Sequence, residues 1–229
     1  MFNIRNLTSS FLCAMLWITL IHAQDFSKYR EFQLGMNLTA TAKQAHLELS
    51  ETRVLHQRPA LIQELEWRPH FALASTPEAD PLKEVLFSFY NGELFRMMVV
   101  YDHYKTEGMT VEDMIEAISA KYGLASRPVK QVLLFPSFEI YNDSEKVLAC
   151  WEDSQYSLSL FRSSSQPIFG ILAFSKRLEP LARSAITEAN RLDELEAPQR
   201  EIDSLKKEAE EERAALEKAR PASKANFRP

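Results

Sequence analysis

Beyond residue 23 the chain carries four histidines, His46, His56, His70 and His103, and a single cysteine, Cys150. A thiolate beside a histidine base and an orienting carboxylate is the constellation of a nucleophilic hydrolase. Asp102-His103, set between Tyr101 and Tyr104, and Cys150 are the residues of that type. Their spacing does nothing to bring them together, and scattered surface histidines account for the same residues. No two histidines stand at the i,i+4 spacing of a helical zinc site, and no His-Glu-x-x-His, Cys-x-x-Cys or Gly-x-Ser-x-Gly run occurs. Cys150 closes the apolar run Lys146-Val147-Leu148-Ala149-Cys150-Trp151 and reads as a small buried hydrophobe, with a nucleophile or an interchain disulfide as the sharper alternative. Trp67 and Trp151 read as core anchors rather than stacking platforms. Asn37-Leu38-Thr39 and Asn142-Asp143-Ser144 fit the glycosylation pattern, which matters only in a eukaryotic secretory route. The sequence thus assigns no catalytic residue, no metal ligand and no cofactor.

The elements that would position such groups are set by composition first. The 229 residues are 45% hydrophobic and 26% charged, an ordinary globular balance, with only 5 glycines. So few glycines argue against the phosphate-cradling loops of a nucleotide-binding enzyme. The formal net charge is −5, and no basic block occurs outside a mixed-charge tail, which argues against nucleic acid as a partner.

Residues 1–23 read as an export signal. Arg5 is the only charge before the apolar run Phe11 to Ile21, and Ile21-His22-Ala23 offers a small residue at the cleavage point. The run is short for roughly 30 Å of hydrocarbon, which favours a cleaved signal over the alternative of an uncleaved anchor. Cleavage removes Arg5 and no acid, taking the net charge from −5 to −6. Later segments all fall short of the ~20 apolar residues of a spanning helix, so no integral membrane segment is expected after cleavage. Cys13 follows Ser10-Phe11-Leu12, which is not a lipobox, and the lone mature Cys150 cannot close an intrachain disulfide. The expectation is an exported chain, periplasmic or secreted, stabilised by its core.

Two stretches of that chain are written alike. Phe32-Gln33-Leu34-Gly35-Met36-Asn37-Leu38 parallels Lys105-Thr106-Glu107-Gly108-Met109-Thr110-Val111, each placing a capping residue after Gly-Met. A helical stripe follows: Leu38, Ala42, Ala45 and Leu49 in the first copy, Val111, Met114, Ile115 and Ile118 in the second. Thr110 with Asp113 forms a capping-box-like pair, and Gly123 stops the second helix. Strands come next. Leu61 to Trp67, Val85 to Phe89 and Leu94 to Tyr101 are matched by Lys146 to Trp151, Tyr156 to Phe161 and Ile168 to Phe174. Asn91-Gly92 between apolar runs is a hairpin signal, because both residues must take positive φ. The alternation Ser157-Leu158-Ser159-Leu160 predicts a strand with one wet face.

Paired units of this kind resemble the SmpA/OmlA group of outer-membrane assembly lipoproteins and the tandem-repeat β-lactamase-inhibitor-protein fold. The likeness covers residues 32–49, 61–101, 105–123 and 146–175. It implies a fold and a tendency to bind other proteins; neither the lipid anchor nor the disulfides of those families carries over.

From Lys176 the pattern is helical, with Leu178, Leu181, Ala185, Leu192 and Leu195 at three- and four-residue steps. Pro180 fits a first turn, whereas Pro198 should kink or interrupt the helix. Beyond it Ile202, Leu205, Ala209 and Leu216 keep a narrow seam, with Glu212 where a coiled coil prefers an apolar residue. A solvated single helix and a short coiled coil both fit.

The expected organisation is a signal peptide (1–23), a first α+β unit (24–104), a second α+β unit (105–176), a C-terminal helical extension (177–220) and a disordered tail (221–229). The expected fold class is α+β: two helix-strand-strand-strand repeats forming an antiparallel sheet with helices on one face, plus a long C-terminal helix. The expected function is non-catalytic binding of another macromolecule, a protein partner, through the open sheet face or the C-terminal helix. That helix also allows a homo-oligomer. The competing class is a hydrolase or small-molecule binder with a cleft between the repeats; a pocket collecting His103, Cys150 or carboxylates would favour it.

Overall fold

The computed structural model describes residues 25–69, 80–126, 146–163, 168–226 and 228. His70, the Asn142-Asp143-Ser144 sequon and the expected signal lie outside them. In chain order the elements are β1 (Lys28–Tyr29), β2 (Phe32–Gln33), α1 (Leu38–Ala45), β3 (Arg53–His56), β4 (Ile62–Trp67), β5 (Leu82–Tyr90) and β6 (Glu93–Tyr101). Then follow α2 (Val111–Tyr122), β7 (Lys146–Glu152), β8 (Tyr156–Arg162), β9 (Phe169–Ser175) and α3 (Glu179–Asn226).

Local chemistry sets the helix ends. Asn37 Oδ1 accepts from the Ala40 amide at 2.8 Å and caps α1. The chain leaves that helix at His46, in the left-handed region at φ 57°, so Leu49 falls into a separate 3-10 turn and is 50% exposed. The expected first stripe therefore ends at Ala45. In α2, Thr110 Oγ1 accepts from the Asp113 amide at 3.1 Å, and Asp113 accepts from the Thr110 amide at 2.8 Å. Gly123 ends the helix with φ 77°.

Seven strands form one antiparallel sheet in the order β3-β4-β5-β6-β9-β8-β7. The two units, α1-β4-β5-β6 and α2-β7-β8-β9, share an element order and meet where β6 pairs with β9. Asn91 and Gly92 take φ of 50° and 81° and join β5 to β6, as their residue types demand. One sheet face carries the main core. Ala42 and Ala45 of α1 and Met114, Ile118 and Tyr122 of α2 pack there on Leu65, Phe87, Val99, Trp151, Leu158 and Ile171. The short β1–β2 hairpin and the edge strand β3 were not legible as elements, although Phe26, Tyr29 and Phe32 seal the same core. Tyr122 Oη donates to the Lys28 carbonyl at 2.7 Å and holds that hairpin against α2; burial pushes its phenol up to about 12.

The second face is not open. The first turns of α3 lie on part of it, with Leu178, Ala182, Ala185 and Ile186 against Ile62 and Phe95. Met98, Val100, Phe161, Ile168 and Leu172 form another buried cluster beside them. Ser157 and Ser159 are buried at 5% and 2% exposure, which corrects the expected wet face. The alternation was real, but it separated two buried faces of different polarity.

Helix α3 also differs from expectation. It runs 48 residues through Pro198 and Pro221 to Asn226, rather than breaking at the first proline or stopping at Arg220. A proline removes one amide donor and crowds the turn before it. Around that turn Arg200 Nη2 donates to the Asp193 carbonyl at 2.8 Å and to its carboxylate at 3.0 Å, side-chain bonds that span the proline. Leu181 points away from the sheet and is 48% exposed, so the buried stripe is Leu178, Ala182, Ala185, Ile186 and Ala189.

Candidate functional site

The residues that could have formed a hydrolase site are apart. Cys150 lies on the edge strand β7, where its Sγ is 3.2 Å from Ser159 Oγ and burial pushes its thiol up. His103 follows β6 and rests against the Tyr104 ring. Strands β8 and β9 intervene between β7 and β6, so roughly 14 Å of sheet separates Cys150 from the strand that leads to His103. His46 is spent on the end of α1, and His56 Nδ1 is 4.0 Å from Asp193 of α3. Trp151 is buried, and its Nε1 donates to the Gly123 carbonyl at 2.9 Å; Trp67 is partly buried against Phe32. Both are core residues. Among the described residues no three His, Cys, Asp or Glu side chains gather as a metal site.

A cleft does lie between the two units. It holds about 350 Å³ and is lined by Gly35, Glu93, Ser154, Gln155, Tyr156, Ser175, Lys176 and Arg177. Its charges are paired with one another or with neighbours: Arg177 Nη2 with Glu93 at 2.6 Å, Lys176 Nζ with Glu152 at 2.7 Å. Neither His103 nor Cys150 is among these lining residues.

The more unusual chemistry sits at the root of α3. Arg96 interrupts the apolar run Leu94 to Val100 of β6, and the ladder between β5 and β6 shifts register just there. A bulge re-aims side chains, and both Phe95 and the buried Arg96 serve the second face. Arg96 Nη2 donates to Ser88 Oγ at 3.2 Å and lies 4.0 Å from Glu64 Oε1 of β4. Burial pulls its basicity down, and Glu179 of α3 and Glu64 oppose that pull. Glu64 is 3% exposed, and desolvation raises its pKa despite Arg96 and Arg53 nearby. Glu64 Oε1 and Glu179 Oε2 lack a hydrogen-bond donor among the described residues. Glu64 also borders a cavity of about 410 Å³ with Glu51, Arg53, Glu66 and Arg68. Arg68 is bonded there to Glu66 at 2.5 Å, and Glu84 stands 3.4 Å away, so much of the charge is compensated within the protein. Desolvation offsets much of what such buried charges gain from each other, so they add little stability. They lie beside the apolar contacts of Leu178, Ala182, Ala185 and Ile186 that seat the first turns of α3 on the sheet. Arg58, which bonds Glu196, adds an exposed tie further along. Sequence reasoning passed over Arg96, Glu64 and Glu179; the signal was a lone arginine within an apolar strand.

Past that root the helix stands free of the sheet. Every described residue from Ala197 to Pro221 is exposed. Leu195, Ile202, Leu205 and Leu216 are 63%, 47%, 60% and 65% exposed. No helix of the described residues is long and apolar enough to cross a membrane.

No match was found among curated proteins or solved structures. Residues 27–175 match the model of a protein family described as the TP0088 domain. That stretch contains the whole sheet and both short helices and is more than half of the chain, so the protein belongs to the TP0088 domain family.

Proposed function

We propose that this is an exported, non-catalytic protein that binds another macromolecule through its C-terminal helix. One observation carries the reading: from Leu195 onward α3 keeps four large apolar side chains about half exposed or more, with no described strand or helix over them. A lone helix in water gains little from propensity, and most helical stability comes from burying a face. Leucine and isoleucine repeated along an otherwise charged helix gain that burial on a partner. The sheet-face route has less support, because Met98, Val100, Phe161 and Leu172 of the second face are already covered. The hydrolase alternative has less support again, since the cleft between the units gathers neither His103 nor Cys150. The resemblance to envelope-assembly lipoproteins points the same way, as does an export signal at residues 1–23.

The test is chemical cross-linking of the protein in its own compartment, followed by mass spectrometry, for the full chain and for a chain lacking residues 199–229. The reading expects the main adduct to disappear with the deletion while the α+β body stays folded by circular dichroism. An unchanged adduct would move the contact surface to the body.

A further inference from the structure

The exposed apolar residues of α3 fall into a heptad frame. Leu195, Ile202, Ala209 and Leu216 recur every seventh residue, and three places after them stand Pro198, Leu205, Glu212 and Ala219. With the first set as a and the second as d, the flanking g positions are Glu194, Glu201, Glu208 and Ala215. The e positions are Gln199, Lys206, Arg213 and Arg220. One flank is thus acidic and the other basic.

That segregation selects an occupant and an orientation. In a parallel pair of coiled helices, each g residue faces the e residue five places further along the partner. Two copies of this helix side by side would set Glu201 against Lys206 and Glu208 against Arg213, twice over by symmetry. An antiparallel pair sets g against g and e against e, which here opposes glutamate to glutamate and cation to cation. From this charge pattern, and on the reading that α3 is the contact surface, we propose that its distal half pairs in parallel and in register with the same helix of a second copy, from Leu195 to Arg220. The pair within one helix that competes for these groups, Arg213 with Glu217 at 3.7 Å, is exposed and weak, so it yields readily. Glu212 is the charged member of the seam. Two of them meet in one layer, each flanked by Arg213 of the other copy, which makes the dimer weak and concentration-dependent.

The experiment uses the full chain with Cys150→Ser and, one at a time, Leu195→Cys, Leu205→Cys or Leu216→Cys, oxidised under mild conditions and read on non-reducing gels. A parallel in-register pair gives disulfide-linked dimers from all three variants. Dimers from one variant alone would indicate an antiparallel crossing, and dimers from none would mean no self-pairing; either result overturns the proposal. Glu212→Leu is the complementary variant, because it asks for a gain that misfolding cannot imitate. Sedimentation equilibrium should show its dimer at least about tenfold tighter than the wild type, and an unchanged monomer for both would also overturn the proposal. If deleting residues 199–229 removes a different macromolecular adduct while no variant self-links, self-pairing fails and the helix remains the contact surface.

Discussion

Gly170 shows how tightly the middle of the sheet is built. A Cβ at that position would stand 2.2 Å from Cζ of Phe161, its cross-strand neighbour, and 2.7 Å from the Val99 carbonyl oxygen. The ring can tilt, but the carbonyl belongs to the central strand and cannot. Gly170→Ala should therefore destabilise by about 1–3 kcal/mol, as overpacking does, read as a lower urea midpoint at constant m-value. An unmoved midpoint would mean that the β6–β9 seam has slack. Glu64 gives a second residue-level test. Desolvation holds its folded pKa above the usual carboxylate value, so the native state keeps a proton that the unfolded chain releases. Between those two values, stability falls as pH rises. Glu64→Gln lacks that loss, so the Tm difference between variant and wild type should shift toward the variant as pH rises above the ordinary glutamate value of about 4.3. Parallel pH profiles would show that Glu64 ionises as it does in water.

Among the elements, the two short helices depend on their caps more than on length. α1 has 8 residues and α2 has 12. Thr110→Ala removes the acceptor for the Asp113 amide and should cost about 1 kcal/mol, within the 0.5–2 kcal/mol range of such caps. Thermal unfolding would reveal it, and a loss below ~0.3 kcal/mol would mean that packing alone defines the helix start. These ends were legible because Asn37 and Thr110 accept from amides three positions on, and Gly123 donates its amide to the Ser119 carbonyl four positions back. The long strands were legible for a similar reason, as Asn91-Gly92 and the apolar runs state turn and strand locally. Three features were not. β1 and β2 are two residues each and exist through tertiary contacts such as Tyr122 with Lys28. The burial of Ser157 and Ser159 reflects what covers the second face, which no alternation reports. The passage of α3 through Pro198 is accompanied by Arg200 bonding back to Asp193, seven residues away. The candidate site divides in the same way: the Ile202–Leu216 seam is visible as periodicity, whereas Arg96, Glu64 and Glu179 become a group only once β4, β6 and α3 are side by side.

At the scale of the whole molecule, a compact body carries a projecting helix, and the proposed function places both in an exported chain. Export makes a direct prediction: the mature protein begins at Gln24, read by N-terminal sequencing, and retention of Met1 would contradict it. At the body, Leu178, Ala182, Ala185 and Ile186 seat the helix root on Ile62 and Phe95, and the seam begins beyond it. The central claim is that this seam, and not the sheet, meets the partner. The most direct measurement places a photo-cross-linking residue at Ile202, Leu205 or Leu216 and, for comparison, at Lys207 or Glu210 on the opposite side of the helix or at exposed Arg162 at the end of β8. The account predicts that the seam positions trap a macromolecule in the native compartment and the comparison positions do not. Trapping at Arg162 with a silent seam would contradict it.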